Sequence, residues 1–356
     1  MKYLLTPFSW IYGLLTGLRN YLYDKRILKS VRFDYPVICI GNLSTGGTGK
    51  TPMLIYLLHL LQYTHMVATL SRGYGRRTSG FRVVKFNDKA ENVGDEPLMI
   101  KRQFREVMVT VGEERVTAIP EILQLAPETD VIIMDDAFQH RSVRPGLSVL
   151  LTSYHSPFFS DYLLPRGNLR EGRAQYRRAD IIVVTQCPPH LTVAEKLRWQ
   201  QRIKPYRFQK IYFTSYEYGP MYSFYEREWL YDLTPDTHVL LLCGIANPEG
   251  LFSHLSRLAR KVYLRRFRDH HLYDTNDLDS VYETWKHLPG ERKVIITTEK
   301  DAVRLLPYRD WLLAHNLGVV VQPIAMKFLF DEGPAFDRDI LRYIDWEKTR
   351  LIGQQL

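Results

Sequence analysis

Cysteine is scarce: three residues in 356, Cys39, Cys187 and Cys243, with no C-x-x-C pair among them. An odd count without that spacing argues against a disulfide framework and a zinc site. No internal repeat or low-complexity segment is present. The basic residues are scattered and form no Lys/Arg tail, which speaks against nucleic acid as the partner. Acidic residues are in deficit, 39 against 48 Lys and Arg, for a formal net charge of +9. An anionic partner is therefore expected, and an acidic membrane surface or a phosphorylated small molecule fits that charge. Apolar residues at 45% and charged residues at 24% describe a folded chain, long enough for two domains with a core in each.

Residues 4–18, LLTPFSWIYGLLTGL, are uncharged and flanked by Lys2, Arg19, Lys25, Arg26 and Lys29. They fall short of the ~20 residues a spanning helix needs, and no A-x-A-like cleavage site follows them. Trp10, Tyr12, Tyr21 and Tyr23 beside basic residues suit a helix lying in a lipid headgroup layer. An amphipathic helix packed on the protein's own core accounts for them equally well.

Beyond residue 30, short apolar runs alternate with helical patterns: PVICIGN, MVATLSRG, FRVVKF, VMVTVG, DVIIMDD, SVLLTS and DIIVVTQ. Strands apolar nearly throughout and separated by helices predict a mostly parallel sheet covered on both faces. Pro188-Pro189 and the aromatic, charged stretch to about residue 235 read as a connection between domains. HVLLLCGIANP, KVYLRRF, KVIITTEKD and GVVVQPIAM then predict a second, smaller α/β domain. The expected division is a helix at 1–30, a P-loop NTPase-like domain at 31–215 and the smaller domain at 216–356, closing a cleft.

Ser44-Thr45-Gly46-Gly47-Thr48-Gly49-Lys50-Thr51 follows the predicted strand ending at Asn42 and opens an apolar helix. This strand–loop–helix context is what a phosphate-binding loop requires. The glycines let backbone N–H groups face phosphate oxygens, and the helix N-terminus adds its dipole. Lys50 supplies a charge for the β- and γ-phosphates and Thr51 a hydroxyl for Mg²⁺, so ATP with Mg²⁺ is the expected cofactor pair. Ser44 stands where the usual pattern has its first glycine. A membrane-associated ATPase switch or chaperone, acting on a protein partner, is the alternative. Its K-G-G-x-G-K-T loop needs lysine at position 45, where this chain has Thr45.

Asp135 and Asp136 end the apolar run VIIM in the manner of a Walker B strand, where carboxylates hold Mg²⁺ opposite Thr51. His140 follows, either a ligand partner or a loop histidine. In Gly94-Asp95-Glu96-Pro97, proline suits the first helical position and Glu96 the N-cap. Asp95 is then free to accept a proton or position Mg²⁺, although a capping role for the pair is the simpler reading. Arg72 and Arg170 lie in glycine-containing loops, as phosphate clamps or as solvated arginines. Asp269-His270-His271 and Thr297-Thr298-Glu299-Lys300-Asp301 follow strands of the second domain; the Asp-His pair could bring a base across a cleft, or both are strand-end caps.

Taken in order, these motifs resemble one family, the tetraacyldisaccharide 4′-kinases. The resemblance rests on Ile11-Tyr12-Gly13, Leu22-Tyr23-Asp24, GGTGKTP after Gly41-Asn42, Leu70-Ser71-Arg72-Gly73-Tyr74-Gly75, Gly94-Asp95-Glu96-Pro97, Asp135-Asp136 with Gln139-His140, Leu169-Arg170-Glu171, Asp269-His270-His271 and Thr298-Glu299-Lys300-Asp301-Ala302. It departs at Ala137, where the family usually has glycine. The resemblance implies a P-loop kinase that moves the γ-phosphate of ATP to the 4′-hydroxyl of a tetraacylated glucosamine disaccharide 1-phosphate, in lipid A synthesis. It implies catalytic roles for Asp95, His270 and Lys50, and Arg170 as a phosphate contact. Thr51, Asp135, Asp136, Glu171 and His140 become the metal neighbourhood. The implied place is the cytoplasmic face of a bacterial inner membrane, held peripherally or monotopically by the first helix, with the acylated lipid and the membrane surface as partners. Neither nucleic acid nor an obligate protein partner is expected.

Overall fold

The structure is a computed structural model and describes residues 2–355. In chain order the strands are β1 (Val37–Asn42), β2 (Val67–Ser71), β3 (Arg82–Val83), β4 (Met108–Val111), β5 (Val131–Met134), β6 (Leu147–Ser153), β7 (Ile181–Thr185) and β8 (Lys210–Tyr218). After them come β9 (Met221–Ser223), β10 (Leu230–Tyr231), β11 (His238–Cys243), β12 (Lys261–Arg266), β13 (Lys293–Thr298), β14 (Val319–Gln322) and β15 (Ile324–Phe328). Among the described residues they form two sheets. One runs β15-β8-β7-β6-β1-β5-β2-β4-β3, the other β10-β9-β14-β13-β11-β12.

In the first sheet only the outer pairs β15–β8 and β3–β4 are antiparallel. Every residue of β1, β5, β6 and β7 is buried, because helices cover both faces of a parallel sheet. Strand order reverses at β1, which pairs with β5 on one side and β6 on the other. That reversal opens a crevice beyond the carboxyl ends of β1 and its neighbours, the usual place for a ligand in such sheets. In the second sheet β11 lies between β12 and β13, parallel to both.

Two sequence expectations change here. The stretch read as a connection contains the helix Val193–Ile203 and the nine-residue strand β8. Its aromatic and charged alternation is that of a strand near a sheet edge, with Phe213, Thr214 and Ser215 buried and Lys210 and Glu217 outward. The span 216–356 also divides. After Gln322 the chain returns to the first sheet as β15, and the helix Gly333–Gln355 buries Phe336, Ile340 and Ile344 in the same core as Leu57, Leu58 and Leu61. All three cysteines are buried and free.

The first helix, Thr6–Asp24, packs with its polar side inward. Ser9 donates to the Leu163 carbonyl at 3.0 Å and accepts from the Arg166 N–H at 3.0 Å. Tyr12 donates to the Arg170 carbonyl at 2.9 Å, and Asn20 accepts from Arg141 through its carbonyl at 2.8 Å. Between them Gly13 lets the helix approach, since a Cβ there would sit 2.7 Å from Leu163 Cδ1. Phe8, Trp10, Ile11, Leu14, Leu15 and Leu18 point away from the protein, with Trp10 and Leu14 each 73% exposed. The reading of this helix as cover for the core therefore fails. Among the described residues no helix is long and apolar enough to cross a membrane.

Candidate active site

The crevice beside β1 is built from the loop that follows it. Ser44 forms a bridge with Leu169, the Thr45 N–H donates to the Asn168 carbonyl at 2.7 Å, and the Arg170 N–H to the Leu43 carbonyl at 2.7 Å. The first part of the loop is thus pinned to segment 168–170 as an extended strand, a conformation in which serine serves as well as glycine. The Asn42 amide donates to the Thr48 hydroxyl at 2.6 Å and closes the turn from inside. Gly49, at φ 82°, turns the chain into the helix Lys50–Leu61 in a left-handed conformation that glycine adopts freely.

Asp136 faces this loop. Its carboxylate accepts from Arg170 Nη2 at 2.7 Å and Nη1 at 3.2 Å, and Lys50 Nζ lies 3.7 Å away. Burial works against its charge, but Lys50 and Arg170 outweigh it and hold the carboxyl below its ordinary range. Asp135, on the same strand end, is buried and pushed up to about 7 by desolvation, by Glu96 and by Asp136, against the pull of Lys50. Thr51 donates to Glu96 at 3.1 Å. The helix here starts at Asp95 with Gly94 before it, so Glu96 is not its N-cap. Its carboxylate instead links Thr51 to Lys300, whose Nζ is 3.0 Å away.

Lys300 belongs to the second sheet's helix Glu299–Leu305 and also reaches His270 Nε2 at 3.0 Å and Asp269 at 3.4 Å. His270, held at φ 59°, places Nδ1 3.1 Å from Asp95 Oδ2. Arg304 donates from Nε to the same oxygen at 2.8 Å and from Nη2 as well. Desolvation raises the Asp95 pKa, yet His270, Lys300 and Arg304 together pull it well below the usual carboxylate range. The Tyr74 ring lies 4.9 Å from that of His270. A groove of about 460 Å³, lined by Ile245, Ala246, Arg266, Phe267, Arg268 and Asp269, opens alongside.

Asp95 and His270, distant in sequence, are brought together, as are Lys50, Arg170 and Asp136. Two other candidates make no direct contact with this group, although His140 is close enough to Asp136 for their charges to interact. Glu171 is buried and accepts from Arg178, with Arg19 3.8 Å from its other oxygen. His140 is pushed down to about 4 by burial and by Arg115. Arg72 stays exposed. The sequence gives Lys300 a place in a strand-end motif but no role of its own, and it does not single out Arg304. The motif TEKDA was the available signal for Lys300; Arg304, two residues beyond it, had none.

Residues 1–345 match the LpxK family model, described as tetraacyldisaccharide-1-P 4′-kinase. The chain belongs to this family. Tetraacyldisaccharide 4′-kinases similar to it include that of Flavobacterium johnsoniae, 41% identical over 345 residues and 97% of each chain. That of Bacteroides fragilis is 38% identical over 353 residues, covering 97% of this chain and 94% of the other. Among solved structures, LpxK from Aquifex aeolicus in complex with ATP superposes with a TM-score of 0.70. It is 28% identical, and the match covers 96% of this chain and 99% of that one. Membership in the kinase family accounts for the mostly parallel, helix-flanked sheet and for the phosphate loop.

Proposed function

We propose that this protein is a lipid-sugar kinase that transfers the γ-phosphate of ATP to the 4′-hydroxyl of a tetraacylated glucosamine disaccharide 1-phosphate. The observation that carries the proposal is the Asp95–His270 pair, at 3.1 Å, meeting beside the Lys50-Thr51 end of the phosphate loop from two different sheets. The loop's N–H groups, Lys50 and Arg170 bind and orient the phosphates. Asp95 and His270 act as a unit that takes the proton of the attacking hydroxyl, with Lys300 facing His270 Nε2 from the cleft side.

Among the described residues no cluster of three or more His, Cys, Asp or Glu forms a ready-made metal site. The donor set nevertheless fits Mg²⁺: the Asp135 carboxyl is raised by burial and then by Glu96 and Asp136, which marks a local shortage of positive charge. Thr51, Asp135 and Asp136 would hold the ion, with His140 beside Asp136 and Glu171 one residue on from the Arg170 that grips Asp136. When bound, Mg²⁺ offsets the charge on the transferring phosphate. The rest of the barrier reduction comes from positioning, since a loose phosphoryl transition state asks little covalent chemistry of the protein.

The outward apolar face of the first helix, next to Arg19 and Lys25, supports a peripheral place on the cytoplasmic face of the inner membrane, where an acylated substrate resides. Purified protein with Mg-ATP labelled at the γ-position and the lipid disaccharide tests the function. Label in the lipid is expected. Label released only as free phosphate would replace this reading with the ATPase switch.

A further inference from the structure

Arg304 is 3% exposed, on a helix of the second sheet. A buried guanidinium is retained only where its donors are met. Nη1 donates to the Gly244 carbonyl and to Asp301 Oδ1, both at 2.8 Å. Nε and Nη2 both go to Asp95 Oδ2, on the other sheet. Asp301 is in turn fully enclosed. It accepts from the Gly244 N–H at 3.1 Å, from the Tyr273 hydroxyl at 3.2 Å and from the Thr298 hydroxyl at 2.8 Å. Gly244 has room for no side chain here, since a Cβ would lie 2.9 Å from the Arg268 carbonyl, 3.2 Å from Asp301 Oδ1 and 3.3 Å from Arg304 Nη1. The second sheet therefore carries a rigid, wholly buried bracket whose free end grips one oxygen of Asp95.

We infer that Arg304 is a positioning residue for the Asp95–His270 pair, which its braced guanidinium assembles by fixing Asp95 Oδ2 opposite His270 Nδ1 when the two sheets are docked. The inference rests on the kinase reading. Asp95 Oδ1 is already engaged by the Glu96 N–H at 2.8 Å, so with Arg304 in place the carboxylate has a single orientation. His270, on the loop after β12, then has one fixed acceptor. Without Arg304 only the Glu96 N–H and His270 itself orient the carboxylate, and the two sheets lose a fully buried ion pair between them. Arg304 bonds neither to the phosphate loop nor to His270, whose Nε2 faces Lys300, so it acts through Asp95 and not on the substrate.

The test measures lipid phosphorylation by Arg304→Gln and Arg304→Lys, with saturating lipid and varied Mg-ATP. Arg304→Gln is expected to lower kcat about 10²-fold, the loss that a small misplacement of reacting groups brings, with the KM for ATP changed less than about threefold. Arg304→Lys keeps the charge without the fork and is expected to recover part of the rate. In an Asp95→Ala background, Arg304→Gln is expected to cost less than about threefold more, because residues acting as a unit are not additive. Wild-type kcat in Arg304→Gln overturns the inference. So does a full repeat of its loss in the Asp95→Ala background, the mark of a purely structural role. If Arg304→Gln does not fold, Arg304→Lys and Asp301→Asn carry the same comparison. A fall in their kcat at constant ATP KM supports the inference, and unchanged kcat overturns it. Failure of the unaltered chain to label lipid overturns the kinase reading and this inference with it, whereas normal labelling by these variants overturns the inference alone.

Discussion

Serine at Ile11, Leu14 and Leu18 together separates membrane attachment from folding. These side chains are 58%, 73% and 53% exposed and share the outer face of the first helix. Complete burial of such a side chain is worth ~1.5–3 kcal/mol, so the exposed part of all three supplies roughly 3–5 kcal/mol when the helix enters lipid. Its loss corresponds to a partition coefficient lower by about two to four orders of magnitude. Folding is untouched, because the contacts that seat the helix come from Ser9, Tyr12, Gly13 and Asn20 on the opposite side. Surface changes of this kind shift stability by under about 0.5 kcal/mol each. Cosedimentation with vesicles of zwitterionic lipid containing a minority of anionic lipid, at several lipid concentrations, reads the partitioning. Thermal unfolding of the same samples without lipid reads stability. The reasoning is refuted if the triple variant sediments like the unaltered chain, or if it melts several degrees lower, which would show these side chains serving the core.

Three further predictions concern the site. Asp95→Ala should lower kcat by about 10²- to 10⁴-fold while ATP binding, followed by titration calorimetry, changes little; turnover within a few-fold of normal would remove Asp95 from the reaction. Asp135 has a pKa raised by burial, Glu96 and Asp136 to about 7. Stability from its protonated form is therefore present below the ordinary carboxylate range and lost as pH rises through about 7. Metal-free protein should melt lower at pH 8 than at pH 6, with Mg²⁺ restoring the difference; in Asp135→Asn melting curves, both the added pH slope and the Mg²⁺ gain should vanish. Gly41→Ala places a Cβ 2.6 Å from Phe138 Cβ in the densely packed end of β1. It should destabilise the fold by about 1–3 kcal/mol, and an unchanged denaturation midpoint would show that the strand end yields.

The central strands and the phosphate loop were legible because their signals are local: continuous apolar runs, then glycines, then Lys50-Thr51. β8 was not, since KIYFTSYEY near a sheet edge alternates aromatic and charged residues as an exposed linker also does. The first helix left two readings open by composition alone. What decides between them is spacing, for Ser9, Gly13, Thr16 and Asn20 recur at intervals of four, three and four and mark a polar stripe that needs the protein. Ser44 looked like a defect while only the loop was considered; its bridge to Leu169 comes from a segment more than a hundred residues away. Arg304 was invisible for the same reason, because its partner Asp95 is 209 positions distant. Charged side chains that are buried in pairs leave no periodic trace in a sequence.

The paired strands β8 and β15 carry a practical consequence. The chain leaves the first sheet after Tyr218 and comes back at Ile324, and the two crossings are stapled together: Gly219 N–H donates to the Pro323 carbonyl at 3.2 Å and Gln322 to the Gly219 carbonyl at 2.7 Å. The second sheet is thus joined to the first by the chain at two adjacent points, and it docks there besides through Arg304 on Asp95, Lys300 on Glu96 and Val303 in the first sheet's core. A short turn could join the two ends, but it would uncover Asp95 and the part of the first core that Val303 fills. The shortened protein would keep its phosphate loop and its outward-facing helix but lack His270, Lys300 and Arg304, a nucleotide-binding scaffold with half of its chemistry removed in one cut.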